Sequence, residues 1–168
     1  GFADDPAGVG ANVELAVAAG IAALSIEDRI GRELYEPALA VERIRAAREA
    51  IDRTGEDVLL VGRSEGFLIG RTQLDATIAR LTAYAEAGAD CLYAPGVSDL
   101  AAIREIVAAV APKPVNVLIV KPEMRVAELA EAGVRRVSVG GGLAAAAWKG
   151  FDQAARLLVE EGRMPARN

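Results

Sequence analysis

Histidine is absent from this 168-residue chain, and cysteine occurs once, at Cys91. The lack of histidine excludes the commonest general base, the commonest metal ligand and every Ser-His or Cys-His nucleophile pair. One cysteine, inside a predicted buried strand, excludes an intrachain disulfide and is typical of a cytoplasmic protein. Chemistry must therefore use carboxylates, Arg, Lys, Ser, Asn or a metal ion, and oxygen ligands favour Mg²⁺ or Mn²⁺ over Zn²⁺.

Long apolar runs and an excess of positive charge are also missing, and aromatic residues are few. No apolar run approaches the ~20 residues that span a bilayer, and the start is not signal-like. With 24 acidic and 19 basic residues the net charge is −5, which gives no footprint for nucleic acid or an anionic membrane. The charge balance therefore favours a protein that acts on small molecules. The length of 168 residues predicts one domain, and 52% hydrophobic with only 4% aromatic residues predicts an aliphatic core.

Five short apolar runs alternate with amphipathic helical segments, near residues 22–26, 57–63, 90–94, 115–118 and 135–139. Continuous aliphatic runs between helices predict a parallel sheet buried on both faces. A doubly wound five-stranded sheet fits this length, whereas a (β/α)8 TIM-type barrel takes ~250 residues. Because the chain opens on a loop and a helix, without Met or a leading strand, we favour a barrel of which it supplies the later strand-helix units. The N-terminal strands would be missing, and residues 1–168 would form a single partial barrel domain.

The predicted helices follow recognisable start signals. These are Asp4 or Asp5 with Pro6, Pro37, a Thr72–Asp75 capping box, Ser98, and a segment after Glu123; a long last helix is expected over about 143–161. Residues 31–33 are expected to lie in an exposed loop.

Charged side chains follow the first two predicted strands, where functional residues of parallel sheets are expected. Glu27 and Asp28 end the first strand, which makes a divalent-metal site possible. Arg63 ends the next strand and suits bidentate capture of a carboxylate or phosphonate. The structural alternatives are that Glu27 or Asp28 caps a turn or pairs with Arg29 or Arg32, and that Arg63 forms a static ion pair with Glu27.

Polar residues inside the later strands are less specific signals. Asn116 must point away from the side taken by Val115 and Val117, so it is either a substrate or water ligand or is satisfied by a neighbouring strand. Ser138 has the same two interpretations. Three glycines, Gly140–Gly142, precede the last helix and can expose amides to an anion, or serve as a hinge or close-packing site.

Taken in order, six segments of the chain resemble the isocitrate lyase/phosphoenolpyruvate mutase superfamily. They are GFADD at 1–5, SIED at 25–28, GRSEGF at 62–67, AGADCLYAPG at 87–96, KPVNV at 113–117 and VSVGG at 137–141. The resemblance covers nearly the whole chain and is closest to the small bacterial phosphonomutase-like members of the carboxyvinyl-carboxyphosphonate phosphorylmutase type.

The resemblance implies a Mg²⁺-dependent barrel that makes or breaks a C–C or C–P bond of a small 2-oxo or enolpyruvyl acid through an enolate. On it, Glu27 matches the acidic residue of the magnesium shell and Arg63 matches the arginine that holds the substrate carboxylate or phosphonate; we expect both to be catalytic. Asn116 matches a polar residue at the substrate end of the barrel, and we add Ser138 to the expected substrate-binding residues. The cofactor would be Mg²⁺, with Mn²⁺ possible.

The chain also departs from the family pattern. The family usually has Ala-Arg-Thr-Asp where this chain has residues 62–65, Gly-Arg-Ser-Glu, and His or Glu in some members where it has Ala94–Pro95. The direct metal-binding aspartates of the family would precede Gly1, so this chain alone would hold only part of the metal shell.

Other predictions concern partners and competing functions. Trp148 and Phe151 on the last helix are typical interface residues, and the family's last helices often exchange between subunits, so we expect a homodimer or homotetramer unless that helix packs on its own barrel. Two alternatives stay open: a sugar-phosphate barrel enzyme that binds phosphate at Gly140–Gly142, and a non-catalytic barrel scaffold.

Overall fold

The computed structural model describes residues 2–71 and 73–166, and those up to Ser138 form an α/β fold around a parallel sheet. The helices are α1 (Pro6–Ala18), α2 (Pro37–Thr54), α3 (Leu74–Glu86), α4 (Leu100–Val110), α5 (Val126–Glu131) and α6 (Gly142–Glu161). The strands are β1 (Ala23–Glu27), β2 (Arg29–Ile30), β3 (Glu33–Leu34), β4 (Leu59–Arg63), β5 (Cys91–Tyr93), β6 (Val115–Leu118) and β7 (Arg136–Ser138). A single 3-10 turn lies at Gly66–Ile69.

Five strands form the main sheet in the order β1-β4-β5-β6-β7, and every neighbouring pair is parallel. Each strand of the main sheet therefore lies beside the strand of this sheet that follows it in the chain, and every crossover contains a helix. This order runs in one direction across the sheet, as in a barrel, and it excludes the doubly wound alternative, in which the strand order reverses at a switch point. The predicted barrel-type α/β fold is confirmed.

Side chains alternate between the two faces of the sheet, and the two faces differ in chemistry. One face packs against the helices and supplies the main core through aliphatic residues: Leu24, Ile26, Leu60, Leu92, Val115 and Val117. The opposite face, which we call the inner face, carries a small cluster of Val61, Cys91, Tyr93 and Leu118 together with polar side chains. The sheet is therefore aliphatic on the face toward the helices and carries both apolar and polar side chains on the inner face.

The helix starts were only partly predicted. Asp5 caps α1 by accepting a hydrogen bond from the Gly8 amide at 2.8 Å, as expected. The cap of α4 is Asp99 and not Ser98, because the Asp99 carboxylate accepts from the Ala102 amide at 2.8 Å. Thr72 of the expected capping box lies outside the described residues.

The segment between β1 and α2 contains a short antiparallel hairpin, and the exposed loop expected at residues 31–33 is its turn together with the first residue of β3. Strands β2 and β3 pair Arg29 with Leu34 and Ile30 with Glu33, and Gly31 in the turn has a φ of 58°. A positive φ is accessible to glycine at little cost, which allows so tight a reversal. The hairpin keeps the chain close to the carboxyl end of β1.

The chain divides into two compact units, Gly1–Ser138 and Val139–Asn168. The first contains both sheets and five helices, and the second contains α6. On α6, Trp148 and Phe151 pack edge to face with ring centroids 5.6 Å apart, and both side chains are exposed. The single domain over 1–168 and the subunit exchange of this helix stay predictions. Among the described residues, no helix is both long and apolar enough to cross a membrane.

Gly62 sets how closely α3 approaches the sheet. A Cβ at this position of β4 would lie 3.0 Å from the Cβ of Tyr84 and 3.2 Å from the Cβ of Ala89. Side chains in a close-packed core cannot yield that space without moving a helix. The small residue therefore brings Tyr84 of α3 to the back of the sheet.

We expect Gly62→Ala to lower the free energy of unfolding by about 1–3 kcal/mol, because the added methyl group overpacks the contact between β4 and α3. Urea unfolding measures the change. Gly10→Ala on α1 is the matched control, since its Cβ would meet nothing closer than the Ala46 carbonyl oxygen at 3.6 Å. Equal effects of the two substitutions would contradict the close approach at Gly62.

Candidate active site

Glu27 and Arg63 end two neighbouring parallel strands and meet at the same edge of the sheet. They are register partners in the β1–β4 pair, so both side chains point to the inner face. Nη1 of Arg63 lies 2.9 Å from Oε1 of Glu27. The side chains keep 22% and 27% of their surface exposed, so both are accessible to a small solute. The structure therefore brings together the two residues that were expected to be catalytic, and it also shows the ion pair that was the structural alternative.

A second carboxylate holds the other side of the Arg63 guanidinium. Nε and Nη2 of Arg63 both donate to Oε1 of Glu65, at 3.0 and 2.7 Å. The Arg63 guanidinium carbon also lies 5.0 Å from the centre of the Tyr93 ring, within the range of a cation–π contact. Three groups on β1, on β5 and after β4 thus fix the plane of one guanidinium.

Arg63 retains hydrogen-bonding capacity in this arrangement. A guanidinium has five N–H donors, and its forked geometry matches a carboxylate or phosphonate. Glu65 uses the Nε donor and one donor on Nη2, and Glu27 faces Nη1. Among the described residues these are the acceptors that contact the guanidinium, so two N–H donors on its Nη atoms remain for a bound anion.

Glu65 is buried although it carries a carboxylate. Its side chain is 1% exposed, and besides Arg63 it has Arg29 of the hairpin, whose Nε lies 3.6 Å from Oε2. Burial raises the pKa of Glu65, the charge of Glu27 adds to this, and the positive charges of Arg63 and Arg29 oppose it without cancelling it. Because it is out of reach of solvent, Glu65 orients Arg63 rather than binding a solute itself.

Asp28 does not join Glu27, although the two are adjacent in sequence. The sequence suggested a pair of carboxylates for one metal ion, but successive residues point in opposite directions as the strand ends. Asp28 is 2% exposed, and its carboxylate accepts from the Glu65 amide, the Tyr84 hydroxyl and Arg80. It pairs with neither Arg29 nor Arg32, so that alternative is wrong for Asp28.

The other two predicted residues, Asn116 and Ser138, contact each other on the inner face. Nδ2 of Asn116 donates to Oγ of Ser138 at 3.0 Å, and Arg136 donates to Oδ1 of Asn116 at 2.9 Å. The Ser138 hydroxyl also lies 3.5 Å from the Tyr93 hydroxyl. Neighbouring strands therefore satisfy the buried Asn116 amide, as the structural alternative proposed, while Tyr93 links this polar chain to Arg63.

Sequence reasoning did not identify Tyr93, Arg136 or Arg43. Tyr93 and Arg136 stand in register with Asn116 on β5 and β7, so strand pairing would have placed them on the inner face once the register was known. Arg43 is 1% exposed in the middle of α2, and it donates to the carbonyl oxygens of Glu27 and Ala3. A single charged residue within an apolar helix face was the only available signal for it.

The described residues supply at most part of a metal shell. No group of three or more acidic or cysteine side chains converges within residues 2–71 and 73–166. Asp28 and Glu65 are buried, so Glu27 is the one carboxylate of the three that remains accessible. It borders an open groove of about 540 Å³ lined by Phe2, Asn12, Leu15 and Ser25. Glu27 fits a single direct or water-mediated ligand of a hard cation.

The glycines before α6 stand apart from these residues in sequence and in chemistry. Helix α6 begins at Gly142, its cap position is Gly141, and no side chain caps it. The phosphate-binding interpretation of Gly140–Gly142 stays a prediction.

The comparisons with known proteins agree with this architecture. The family model for phosphoenolpyruvate phosphomutase matches residues 1–159. Residues along 66% of the chain are 34% identical to 2-methylisocitrate lyase of Escherichia coli strain K12, and cover 39% of that enzyme. A Mycobacterium tuberculosis protein of unassigned function, Rv1998c, is 31% identical over 98% of the chain, which spans 61% of its length.

Solved structures share the fold over nearly the whole chain. A Burkholderia cenocepacia J2315 protein, described provisionally as a lyase/mutase, has a TM-score of 0.92 and 43% identity over 97% of this chain and 60% of its own. The 2,3-dimethylmalate lyase of the PEP mutase/isocitrate lyase superfamily has a TM-score of 0.85 and 26% identity. The match covers 98% of this chain and 59% of the lyase. The chain thus spans about 60% of the length of these proteins.

The raised pKa of Glu65 predicts a pH dependence of stability. A carboxyl whose pKa is higher in the folded than in the unfolded protein contributes stability that is complete below the unfolded pKa and is lost as the pH rises through the folded pKa. Glu65→Gln removes this loss. We therefore expect the free energy of unfolding to fall less steeply in Glu65→Gln than in the wild type as the pH rises from about 4.3, the usual glutamate pKa.

Urea unfolding at a series of pH values measures the difference. Glu42→Gln, which changes an exposed carboxylate of α2, is the control and should run parallel to the wild type. A Glu65→Gln profile that is also parallel to the wild type would contradict the assigned effect of burial.

Proposed function

Because the chain belongs to the phosphoenolpyruvate phosphomutase family, within the PEP mutase/isocitrate lyase superfamily, we propose that it is part of a Mg²⁺-dependent lyase or phosphonomutase-like enzyme. The substrate is a small 2-oxo or enolpyruvyl acid, and the reaction makes or breaks a C–C or C–P bond next to its oxo group through an enolate. The observation that carries the proposal is the Arg63 guanidinium, which is fixed by Glu27 and Glu65 at the carboxyl edge of the sheet with two donors left over.

Arg63 binds the anionic end of the substrate and stabilises the negative charge that develops on the oxo oxygen. A donor that is already oriented gains most from charge that appears during the reaction, because no reorganisation is needed at that moment. Glu65 supplies this orientation from the buried side, and the ring of Tyr93 supports the guanidinium plane. The arrangement is therefore suited to an enolate and is not merely a surface ion pair.

Glu27 is the residue that would contribute to holding Mg²⁺, with the remaining ligands supplied from outside the described residues or by water and substrate. When bound, the ion would supply positive charge beside the enolate oxygen. Glu27 fits this role because it is accessible and borders the groove beside β1. Mn²⁺, which accepts the same oxygen ligands, is the expected substitute.

Asn116 and Ser138 line the polar part of the inner face and orient the substrate. Their hydrogen bond to each other, together with that from Arg136, fixes the amide so that its position is set before a substrate binds. Relatives in the superfamily include 2-methylisocitrate lyase and 2,3-dimethylmalate lyase, which supports cleavage of a C–C bond as the reaction type. The cytoplasmic location and the homodimer or homotetramer stay predictions.

Arg63→Ala and Arg63→Lys test the central residue. In the full-length protein that contains this chain, we expect either change to weaken binding of oxalate, a planar mimic of the pyruvate enolate, by about 100- to 1,000-fold in the presence of Mg²⁺. Lysine keeps the positive charge but lacks the planar pair of N–H donors that binds an anion bidentately. Isothermal titration calorimetry measures the affinity, and Arg45→Ala on the exposed side of α2 is the control. Unchanged oxalate binding in both Arg63 variants would exclude the proposed role.

Glu27→Gln tests the metal assignment separately. The substitution keeps the shape of the side chain and removes the charge that a hard cation requires, so the Mg²⁺ concentration that half-saturates oxalate binding should rise by about 10- to 100-fold. The same titration of Glu42→Gln, an exposed carboxylate, serves as the reference. An identical Mg²⁺ requirement in Glu27→Gln and the wild type would remove Glu27 from the metal shell.

Two experiments distinguish the proposed function from the two alternatives. A non-catalytic scaffold predicts that Mg²⁺ and oxalate do not enhance each other's binding in the wild-type full-length protein. A sugar-phosphate enzyme predicts instead that inorganic phosphate binds at Gly140–Gly142, which a phosphate soak of crystals would reveal.

A further inference from the structure

A buried polar cluster lies directly behind the candidate active site and touches none of its accessible atoms. We define the Asp28 cluster as Asp28, Arg80 and Tyr84. The Asp28 carboxylate accepts from the Tyr84 hydroxyl at 2.7 Å and from Arg80 at 3.4 Å, and its other oxygen accepts from the Glu65 backbone amide at 2.8 Å. The side chains of Asp28 and Tyr84 are almost completely buried.

The cluster joins four separate parts of the fold. Asp28 follows β1, Glu65 follows β4, and Arg80 and Tyr84 lie on consecutive turns of α3. Arg80 also donates to the Tyr35 carbonyl at 2.9 Å, and the Tyr35 amide donates to the Asp28 carbonyl at 2.9 Å, which ties in the chain after the hairpin. Removing one partner of this buried carboxylate would lower the stability of the fold, because it would leave a buried charge or donor unpaired.

Its contact with Glu65 connects the cluster to Arg63. The Glu65 amide is held by Asp28, and two residues earlier in the chain the Arg63 carbonyl accepts from the Asp28 amide at 3.2 Å. The backbone that carries both the guanidinium and its buried carboxylate partner is therefore fixed at two points by one residue. A displacement of that backbone would move the Glu65 carboxylate and, with it, the plane of the Arg63 fork.

We propose that Asp28 is a positioning residue for Arg63, acting through the Glu65 backbone with Arg80 and Tyr84 as its supports. Its contribution to substrate binding rests on the proposed function, whereas its effect on Arg63 does not. Asp28 does not ligate the metal ion or touch substrate. The cluster explains why the second carboxylate of the Glu27–Asp28 pair is turned away from the accessible face.

Asp28→Asn is the sharpest change because all three contacts to the Asp28 carboxylate come from donors. An amide of the same shape offers one acceptor oxygen and places an N–H₂ group where the second acceptor was. Turned one way, the N–H₂ group faces the Glu65 N–H, which is a donor; turned the other way, it faces Arg80, also a donor, and the Tyr84 hydroxyl would have to accept instead of donate. Tyr84→Phe is a milder variant that removes one donor and keeps the ring.

Asp90→Asn is the control, because Asp90, just before β5, contacts β4 at the end opposite to Arg63. The Asp90 carboxylate also accepts from an arginine, Arg48 at 3.0 Å, and from a backbone amide of β4, that of Leu60 at 2.8 Å. It therefore anchors β4 with the same groups, but three residues away from Arg63. Both donors reach the same Asp90 oxygen, so Asp90→Asn removes a charge at the Arg48 contact and keeps an acceptor. A loss of Arg63 orientation should follow from Asp28→Asn alone.

Hydrogen exchange of the Arg63 Nε–H group, followed by ¹⁵N NMR of the full chain, tests the proposal without any ligand. Arg63→Lys assigns the signal, because the resonance disappears in that variant. We expect exchange to accelerate by about tenfold or more in Asp28→Asn and to a smaller extent in Tyr84→Phe, as the Nε–H bond to Glu65 opens more often, and to remain at the wild-type rate in Asp90→Asn. Wild-type exchange in Asp28→Asn, or equal acceleration in Asp90→Asn, would overturn the proposal.

If Asp28→Asn does not fold, the comparison of Tyr84→Phe with Asp90→Asn decides in the same way. Oxalate titration with Mg²⁺ in the full-length protein provides the second readout, in which Asp28→Asn should bind about 10- to 100-fold more weakly and Asp90→Asn as the wild type does. A wild-type protein that does not bind oxalate would contradict the proposed function and leave the exchange result to decide the positioning role. Oxalate binding that is normal in a folded Asp28→Asn variant with accelerated exchange would overturn the link from position to binding.

Discussion

The parallel register of β1 against β4 is the constraint on which the rest of the candidate site depends. It pairs Glu27 with Arg63 and, through the next strands, continues to Tyr93, Asn116 and Arg136. Because side chains alternate, a shift of one residue in any pair would send that row to the helix-packed face and bring aliphatic residues such as Ile26 to the inner face. The burial of the aliphatic row against the helices therefore fixes the register, and the register gathers the polar row.

Buried polar groups behind the strand ends provide the second level of order. Arg43 holds the Glu27 carbonyl and Asp28 holds the Glu65 amide, so the backbones of both acidic residues around Arg63 are anchored from the helix side. Arg43 also lies over the Tyr35 ring, 4.2 Å from its centre. Burial keeps the pKa of Tyr84 far above its ordinary range, with the charge of Asp28 adding to the effect, so this hydroxyl remains a donor to Asp28. Such groups are costly to bury singly, and each is stabilised here by at least two partners.

The apolar runs predicted all five strands of the main sheet to within two residues, because aliphatic burial on the helix side is a local property of the sequence. The inward direction of Asn116 followed from the same alternation. The burial of Tyr84 on α3 was not predicted. A gap created by Gly62 on another element decides that Tyr84 turns inward, and no local pattern encodes it. Asp28 was misjudged for the same reason, because its partners come from 37 to 56 residues away.

The charges around Arg63 also explain why cation and anion binding should be coupled. Glu27, Arg63, Glu65 and Arg29 form an alternating row of two negative and two positive charges, which sum to zero. In that state Arg63 attracts an incoming anion weakly, because Glu27 already neutralises its accessible side. Any cation that takes up the charge of Glu27 strengthens the attraction of Arg63 for an anion, whereas Glu65 is buried and continues to hold the guanidinium in place. By linkage the anion must favour cation binding to the same extent. The ion pair that was the structural alternative for Arg63 and Glu27 is thus the resting state that such a coupled site requires, and it is compatible with a catalytic role for both residues.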